Sequence, residues 1–285
     1  MRLLFTILLV AIAFHVQAQC TISRELKFIE HLVNQKEYED AIYYINKNFT
    51  TDYSSSVLDS LNYLKGWSQY SIKDLQSSAS SLLLVSPDSP FFLKSHFFAA
   101  YNYSYLGKKE NSEFILKQLK TEGQYTNLKN FELAGNALLE RDQDKFNNAF
   151  EKIGTSSDFS FYTEKEKFKT YYSDIKNHRD KSMVKGVLLS SVIPGSGKIY
   201  AGKKGEGIAD FIIVAATGAT AYENYRKLGF KNAKTILFGS LFAVVYIGNI
   251  YGTVFTVKLA NEEFNNELDH EILFNMHIPL RNLFN

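Results

Sequence analysis

ILFGSLFAVVYIGNIYGTVFTV, residues Ile236 to Val257, is a run of 22 residues without a charged side chain, and its reading decides how the rest of the chain is organised. As a helix it is about 33 Å long, which matches a bilayer hydrocarbon core of about 30 Å. The run therefore predicts a membrane-spanning helix. Before it, Ile208 to Tyr222 is shorter and carries Asp210, so by itself it fits a buried core helix as well as a span. The neighbouring run favours a span, because two helices satisfy their own backbone groups in lipid and pack through small residues. Ala215 and Ala219, Gly239 and Ala243, and Gly248 and Gly252 are each spaced by four. We expect a helical hairpin with spans at 208–225 and 235–258 and with Gly248 and Gly252 in a helix-packing contact. Glu223 to Lys234, containing Arg226, Lys227, Lys231 and Lys234, makes the polar connection.

Outward from the hairpin, the preceding stretch reads Pro194-Gly195-Ser196-Gly197-Lys198-Ile199-Tyr200-Ala201-Gly202, with Gly207 beyond it. Residues 184–193 have too few apolar side chains to span and read as an interfacial or re-entrant helix ending at Pro194. Pro194, Gly195, Gly197, Tyr200, Gly202 and Gly207, with the closing run Tyr246 to Tyr251, resemble a bacterial two-transmembrane-helix family marked by a Pro-Gly-x-Gly-x-x-Tyr turn. The resemblance covers roughly a quarter of the chain. It implies a membrane module attached to other domains and names no reaction. We place this module at 184–261.

Residues 1–18 read as a secretory signal: Arg2, an apolar run from Leu3 to Phe14, then Val16-Gln17-Ala18 as a small-residue cleavage site. Gln19 sits where lipoprotein processing prefers a small residue, so Cys20 is expected as a free thiol. With one cysteine there is no internal disulfide and no cysteine-based zinc site.

Residues 19–157 show a repeated helix-pair pattern. Leu26, Ile29, Leu32 and Val33 follow helical spacing, and after Asn34-Gln35-Lys36 a partner helix starts near Tyr38. Tyr38-Glu39-Asp40-Ala41 resembles the tetratricopeptide repeat, in which an aromatic residue and an alanine three positions later close one helix onto the other. Ala41, Ser78, Ser112 and Ala149 are the corresponding positions proposed down the chain, 37, 34 and 37 residues apart, against a family period of about 34. Leu64 and Gly66 before Ser78, Ala99 and Ala100 before Ser112, and Ala134 and Gly135 before Phe146 add matches. The resemblance implies stacked hairpins that share one core and present a groove for a protein ligand. Phe91, Phe97, Tyr101 and Tyr105 are the candidate partner-binding residues. Residues 158–183 form a charged connecting helix, and the acidic tail 262–285 is expected as a short strand or a mobile end. The fold class is all-α: a tetratricopeptide-like solenoid followed by a transmembrane hairpin.

Catalytic signatures are missing from the sequence. Gly195-Ser196-Gly197-Lys198 looks like a phosphate loop, but Val192 and Ile199 hold the places that need Gly and Ser or Thr. Tyr200 occupies the third glycine of a dinucleotide fingerprint. The histidines are scattered without ligand spacing, and Glu262-Glu263 lies in a solvated acidic run. We expect no enzyme activity, no cofactor and no metal. A net charge of +2 leaves no nucleic-acid footprint. The expected role is a scaffold or adaptor of a bacterial envelope, with a protein partner on the repeats and membrane lipid around the hairpin. A transport or membrane-biogenesis component in which the hairpin does the work is the alternative. Counting basic residues near the span ends would keep the repeats cytoplasmic, whereas the leader exports them. We follow the leader and expect the cytoplasmic membrane, with the repeats on its outer side.

Overall fold

A computed structural model describes residues 22–49, 53–154 and 161–284. The expected leader at 1–18 and Cys20 lie outside the described residues. Among the described residues all regular structure is helical and there is no strand. The chain forms two compact units, one holding residues up to Tyr172 together with Ile272–Asn285, the other Ser173–Glu271.

The first unit begins with α1 (22–34), α2 (Tyr38–Asn48), α3 (Ser55–Ser71) and α4 (Leu75–Leu82). It continues with α5 (Phe92–Tyr105), α6 (Lys109–Gln118), α7 (Gln124–Leu139), α8 (Gln143–Glu151) and most of α9 (Tyr162–Asn177). Four turns, α1 to α2, α3 to α4, α5 to α6 and α7 to α8, are built alike. Lys36, Lys73, Gly107 and Arg141 adopt left-handed φ angles of 65°, 69°, 73° and 60°. The next amide in each reaches back to an orphan helix carbonyl: Glu37 to Leu32, Asp74 to Gln69, Lys108 to Tyr103 and Asp142 to Ala137. This is the Schellman ending, which satisfies the last helix carbonyls while reversing the chain. Asp74 and Asp142 then cap the following helices by accepting from the amides of Ser77 and Lys145.

Counted from the turn residues, the position that holds Ala41, Ser78 and Ser112 is Phe146 in the fourth pair, not Ala149. Phe146 is buried and Ala149 only half-buried. The serines at this position are hydrogen-bonded rather than merely tolerated. Ser78 Oγ donates to the Gly66 carbonyl at 2.7 Å and accepts from Asn102 Nδ2 at 3.0 Å. In the next pair Ser112 Oγ accepts from Asn136 Nδ2 at 2.8 Å, and Ser104 Oγ donates to Asn136 Oδ1 at 2.6 Å. The same Asn-to-Ser bond thus ties the second helix pair to the third and the third to the fourth. At Gly66 a methyl would lie 2.6 Å from Leu82, so the small residue lets α3 and α4 close together. Phe131 of α7 stacks on Phe168 of α9 at 4.2 Å and closes that end of the core.

The last helix, α13 (Ala233–Phe284), has 52 residues and belongs to both units. Its final stretch corrects the expectation of a strand or a mobile tail. Residues 258–278 contain neither Gly nor Pro, so nothing breaks the helix. Pro279, near the end, removes a single amide donor. In the first unit Ile272, Leu273, Met276 and Leu280 of this stretch are buried.

The second unit contains α10 (Met183–Val192), the five-residue α11 (Ser196–Tyr200), α12 (Lys204–Leu228) and α13 up to Glu271. Among the described residues only α13 is long and apolar enough to cross a membrane, with a mean hydropathy of 1.6 over its most apolar window. The expected first span lies in α12, which falls short of that measure.

Candidate functional site

Two arrangements merit description, one in each unit. In the first unit, α3, α5, α7 and α9 present a shared face, and residues 272–284 lie on it. Met276 sits against Gly135 of α7, where a methyl would come within 2.6 Å of its sulfur. Asn275 Nδ2 donates to the Tyr171 hydroxyl at 2.8 Å, and Lys167 Nζ donates to Asn275 Oδ1 at 3.0 Å. Phe284 packs near Phe97, Phe98 and Tyr125 with centroid distances of 5.7, 6.4 and 5.4 Å.

His277 is the polar centre of this contact. Its ring stacks on Tyr101 at 5.1 Å, and its Nε2 shares a 2.5 Å hydrogen bond with the Tyr70 hydroxyl. Burial pushes the Tyr70 phenol up to about 12, with Arg281 opposing. Burial also pulls the His277 imidazole down to about 4, helped by Arg281 and Lys73. Both shifts keep the proton on the tyrosine, so Tyr70 donates to a neutral imidazole. Tyr101 is likewise raised, first by burial and then by the neighbouring Tyr70, Glu132 and Tyr105. Glu132 is 1% exposed, its Oε1 has no hydrogen-bond partner, and burial lifts its carboxyl well above the usual range.

The four candidate partner-binding residues divide. Phe97 and Tyr101 are buried, the first beside Phe284 and the second beneath His277. Phe91 is half-buried and stacks flat on Tyr63 at 4.3 Å, while Tyr105 is 51% exposed. A cleft of about 560 Å³ persists beside Phe284, lined by Tyr63, Phe91, Lys94 and Tyr125. Lys94 Nζ lies 4.4 Å from the Trp67 ring centre at the same edge. Sequence reasoning found Gly135 only as a repeat match and did not find Tyr70, His277 or Phe284 as members of this contact. The available signal was the spacing of Ile272, Met276, Leu280 and Phe284, four residues apart at each step.

In the second unit the glycine-rich turn is a joint. Gly195 has φ +80°, and a methyl there would sit 1.9 Å from the Gly207 carbonyl oxygen. A side chain at Gly197 would meet the Gly186 carbonyl oxygen at 2.2 Å. These glycines allow backbone to touch backbone. The Gly195 amide donates to Asn249 Oδ1 at 2.8 Å, and Asn249 Nδ2 donates to the Ser190 carbonyl at 3.2 Å. Ser190 Oγ accepts from the Gly197 amide at 3.0 Å and bonds Thr253 Oγ1 at 2.7 Å. Tyr200 accepts from the Ser182 amide at 3.1 Å, and Gly202, at φ +96°, ends α11. Pro194 supplies no amide at the start of the turn. Lys198 and Asp210 pair at 3.0 Å, both mostly shielded.

Gly248 faces open space, and Gly252 lies beside the Lys198 side chain rather than against α12. The contact between α12 and α13 runs instead through Gly218, over which the Phe242 ring lies. Outside this polar joint large apolar side chains face outward: Val184, Val192, Ile212, Leu237, Val244 and Phe255 are all exposed. Among the described residues no group of three or more His, Cys, Asp or Glu side chains is placed to hold a metal ion. No protein-family model, curated protein or solved structure matches this chain.

Proposed function

We propose that this protein is a membrane-anchored scaffold or adaptor of a bacterial envelope, in which tetratricopeptide-like repeats bind a protein partner and the second unit holds them at the cytoplasmic membrane. The observation that carries the reading is the reversed polarity of the second unit. Ser190, Asn249, Thr253 and the Lys198 and Asp210 pair face inward while Val184, Val192, Ile212, Leu237 and Val244 face outward. In water such exposure is unfavourable at about 25 cal/mol per Å² of apolar surface, whereas in lipid it has no penalty. The repeated hairpins and their aromatic face support a binding role, since stacked helix pairs offer extended surfaces. On this reading α12 and α13 form the two spans, the repeats are exported and the basic connection around Lys231 is cytoplasmic.

Accessibility tests the arrangement. With Cys20 replaced by Ser, a cysteine at Ser55 is expected to react with a membrane-impermeant maleimide once the outer barrier is opened, and one at Lys231 is not. Reaction at 231 alone would reverse the orientation. A second reading, in which the hairpin is itself the working part of a transport or biogenesis complex, draws on the shielded Lys198 and Asp210 pair, because ionisable groups at membrane depth mark functional sites. Membrane-tethered repeats lacking α12 separate the two: if they restore function to a null strain, the hairpin is an anchor only.

A further inference from the structure

Residues 272–284 sit on the repeat face in the manner of a bound helical ligand. The apolar anchors Ile272, Met276 and Leu280 recur every four residues and are fully buried, while Phe274 and Arg281 on the other side are exposed. This is how an amphipathic helix fills a groove. The stretch runs antiparallel to α7, with Met276 beside Gly135 and Phe284 beside Tyr125. Glu132 lies one turn before Gly135 on the same side of α7, and interpolating between those two contacts brings it level with Pro279, which is itself buried. Proline has no amide to offer, and His277 is already committed to Tyr70 and Tyr101. Glu132 Oε1 consequently remains without a partner inside the contact. Buried polar groups are nearly always paired, and a cation is the natural complement of a buried carboxylate. The chain's own segment fits the apolar features of this face and leaves its acidic one unanswered.

We propose that the face of α3, α5, α7 and α9 docks an amphipathic helix of a partner protein, carrying aliphatic side chains at i, i+4 and i+8 and a Lys or Arg at i+7, and that residues 272–284 occupy the face as a competing ligand in cis. The inference rests on the adaptor reading and specifies its partner. A covalently attached competitor acts at a high effective concentration, so free helices bind well only after it leaves.

The test uses the full chain in detergent and two labelled peptides, residues 272–284 and the same peptide with Pro279→Lys. Wild type is expected to bind both weakly. M276E/L280E, which expels the internal segment, is expected to bind the native peptide about tenfold more tightly and the lysine peptide about tenfold more tightly again. Adding E132Q to that variant should abolish the second gain and keep the first. A folded M276E/L280E chain that binds neither peptide overturns the proposal. Should that variant not fold, hydrogen exchange of the wild type decides: excess lysine peptide is expected to speed exchange in 272–284, and unchanged protection equal to that of α5 and α7 would make the segment a permanent part of the core. A partner crosslinked equally by wild type and M276E/L280E sinks the competition and leaves the adaptor reading standing. A face that gains peptide binding in a protein that never enters membranes does the reverse.

Discussion

Tyr101 and Tyr105 are one helical turn apart on α5 and have different surroundings. Tyr101 is 6% exposed and supports the His277 ring, whereas Tyr105 is 51% exposed. Truncating a buried aromatic side chain costs about 3 to 5 kcal/mol, and surface changes stay within about 0.5 kcal/mol. Tyr101→Ala should lower the unfolding midpoint of the repeat unit sharply, and Tyr105→Ala should leave it nearly unchanged; equal losses would show that Tyr105 is packed too. His277 makes a pH-dependent prediction. Its imidazole is held down to about 4 when docked, first by burial and then by Arg281 and Lys73, so the docked state prefers it neutral. Docking is therefore fully favoured above the free value of about 6.5 and weakens as pH falls from there toward 4. Glu132 has the opposite sign, because burial raises its carboxyl and acid favours its neutral form. In an E132Q background, the protection of 272–284 against hydrogen exchange, taken relative to the intrinsic rate at each pH, should fall between pH 6.5 and pH 4, and His277→Phe should remove that dependence.

At the scale of elements, the four hairpins share one turn, yet only the third has glycine at its left-handed position. Gly107 adopts φ 73° without steric cost, while Lys36 holds φ 65° with a side chain. The left-handed conformation costs a non-glycine residue about 1 to 2 kcal/mol. Lys36→Gly should stabilise the repeat unit by about 1 kcal/mol in thermal unfolding, because the native φ suits glycine. A decrease in midpoint would mean that the lysine side chain offsets that strain. The hairpins were legible because their small residues and their spacing are local. Ala149 misled because Phe146 three residues before it matches the aromatic-to-alanine spacing of Tyr38 and Ala41, whereas the repeat is set by the turn residues 36, 73, 107 and 141. The asparagines at 102 and 136 went unread because a polar residue mid-helix announces nothing until its serine partner is known. The tail was misread for a related reason: its acidic beginning and Pro279 masked an apolar stripe that makes sense only beside the face it covers.

For the molecule as a whole, the sequence identified the long apolar helix of α13 and the glycine turn, both of which are continuous runs. It did not identify Ser190 and Gly186 of the preceding helix or Thr253 of α13, which join the turn through contacts between elements. The outward apolar surface makes a further prediction. Val244 is 69% exposed on α13, and placing a lysine at the centre of a span costs about 2.5 to 3.5 kcal/mol on insertion scales. Val244→Lys should shift the protein toward alkaline-extractable material in membrane preparations. Asn249→Ala should loosen the joint at Gly195 while leaving membrane partition unchanged, and equal extraction of both variants would count against a lipid-facing Val244.

Because α13 contributes to both units, synthesis imposes an order. At about 5 to 20 residues per second, the roughly 100 residues between Tyr172 and Ile272 take on the order of 5 to 20 seconds to emerge. For that interval every nascent copy carries its helix pairs with Tyr101, Phe97 and Gly135 uncovered. Each molecule is thus briefly a different protein from the finished one, with an unfilled apolar surface at the very time when chaperones and newly made neighbours are close. On the proposed docking, a helix that reaches the face within this window meets no competitor, and a partner made alongside this chain would have an advantage over an identical one that arrives later.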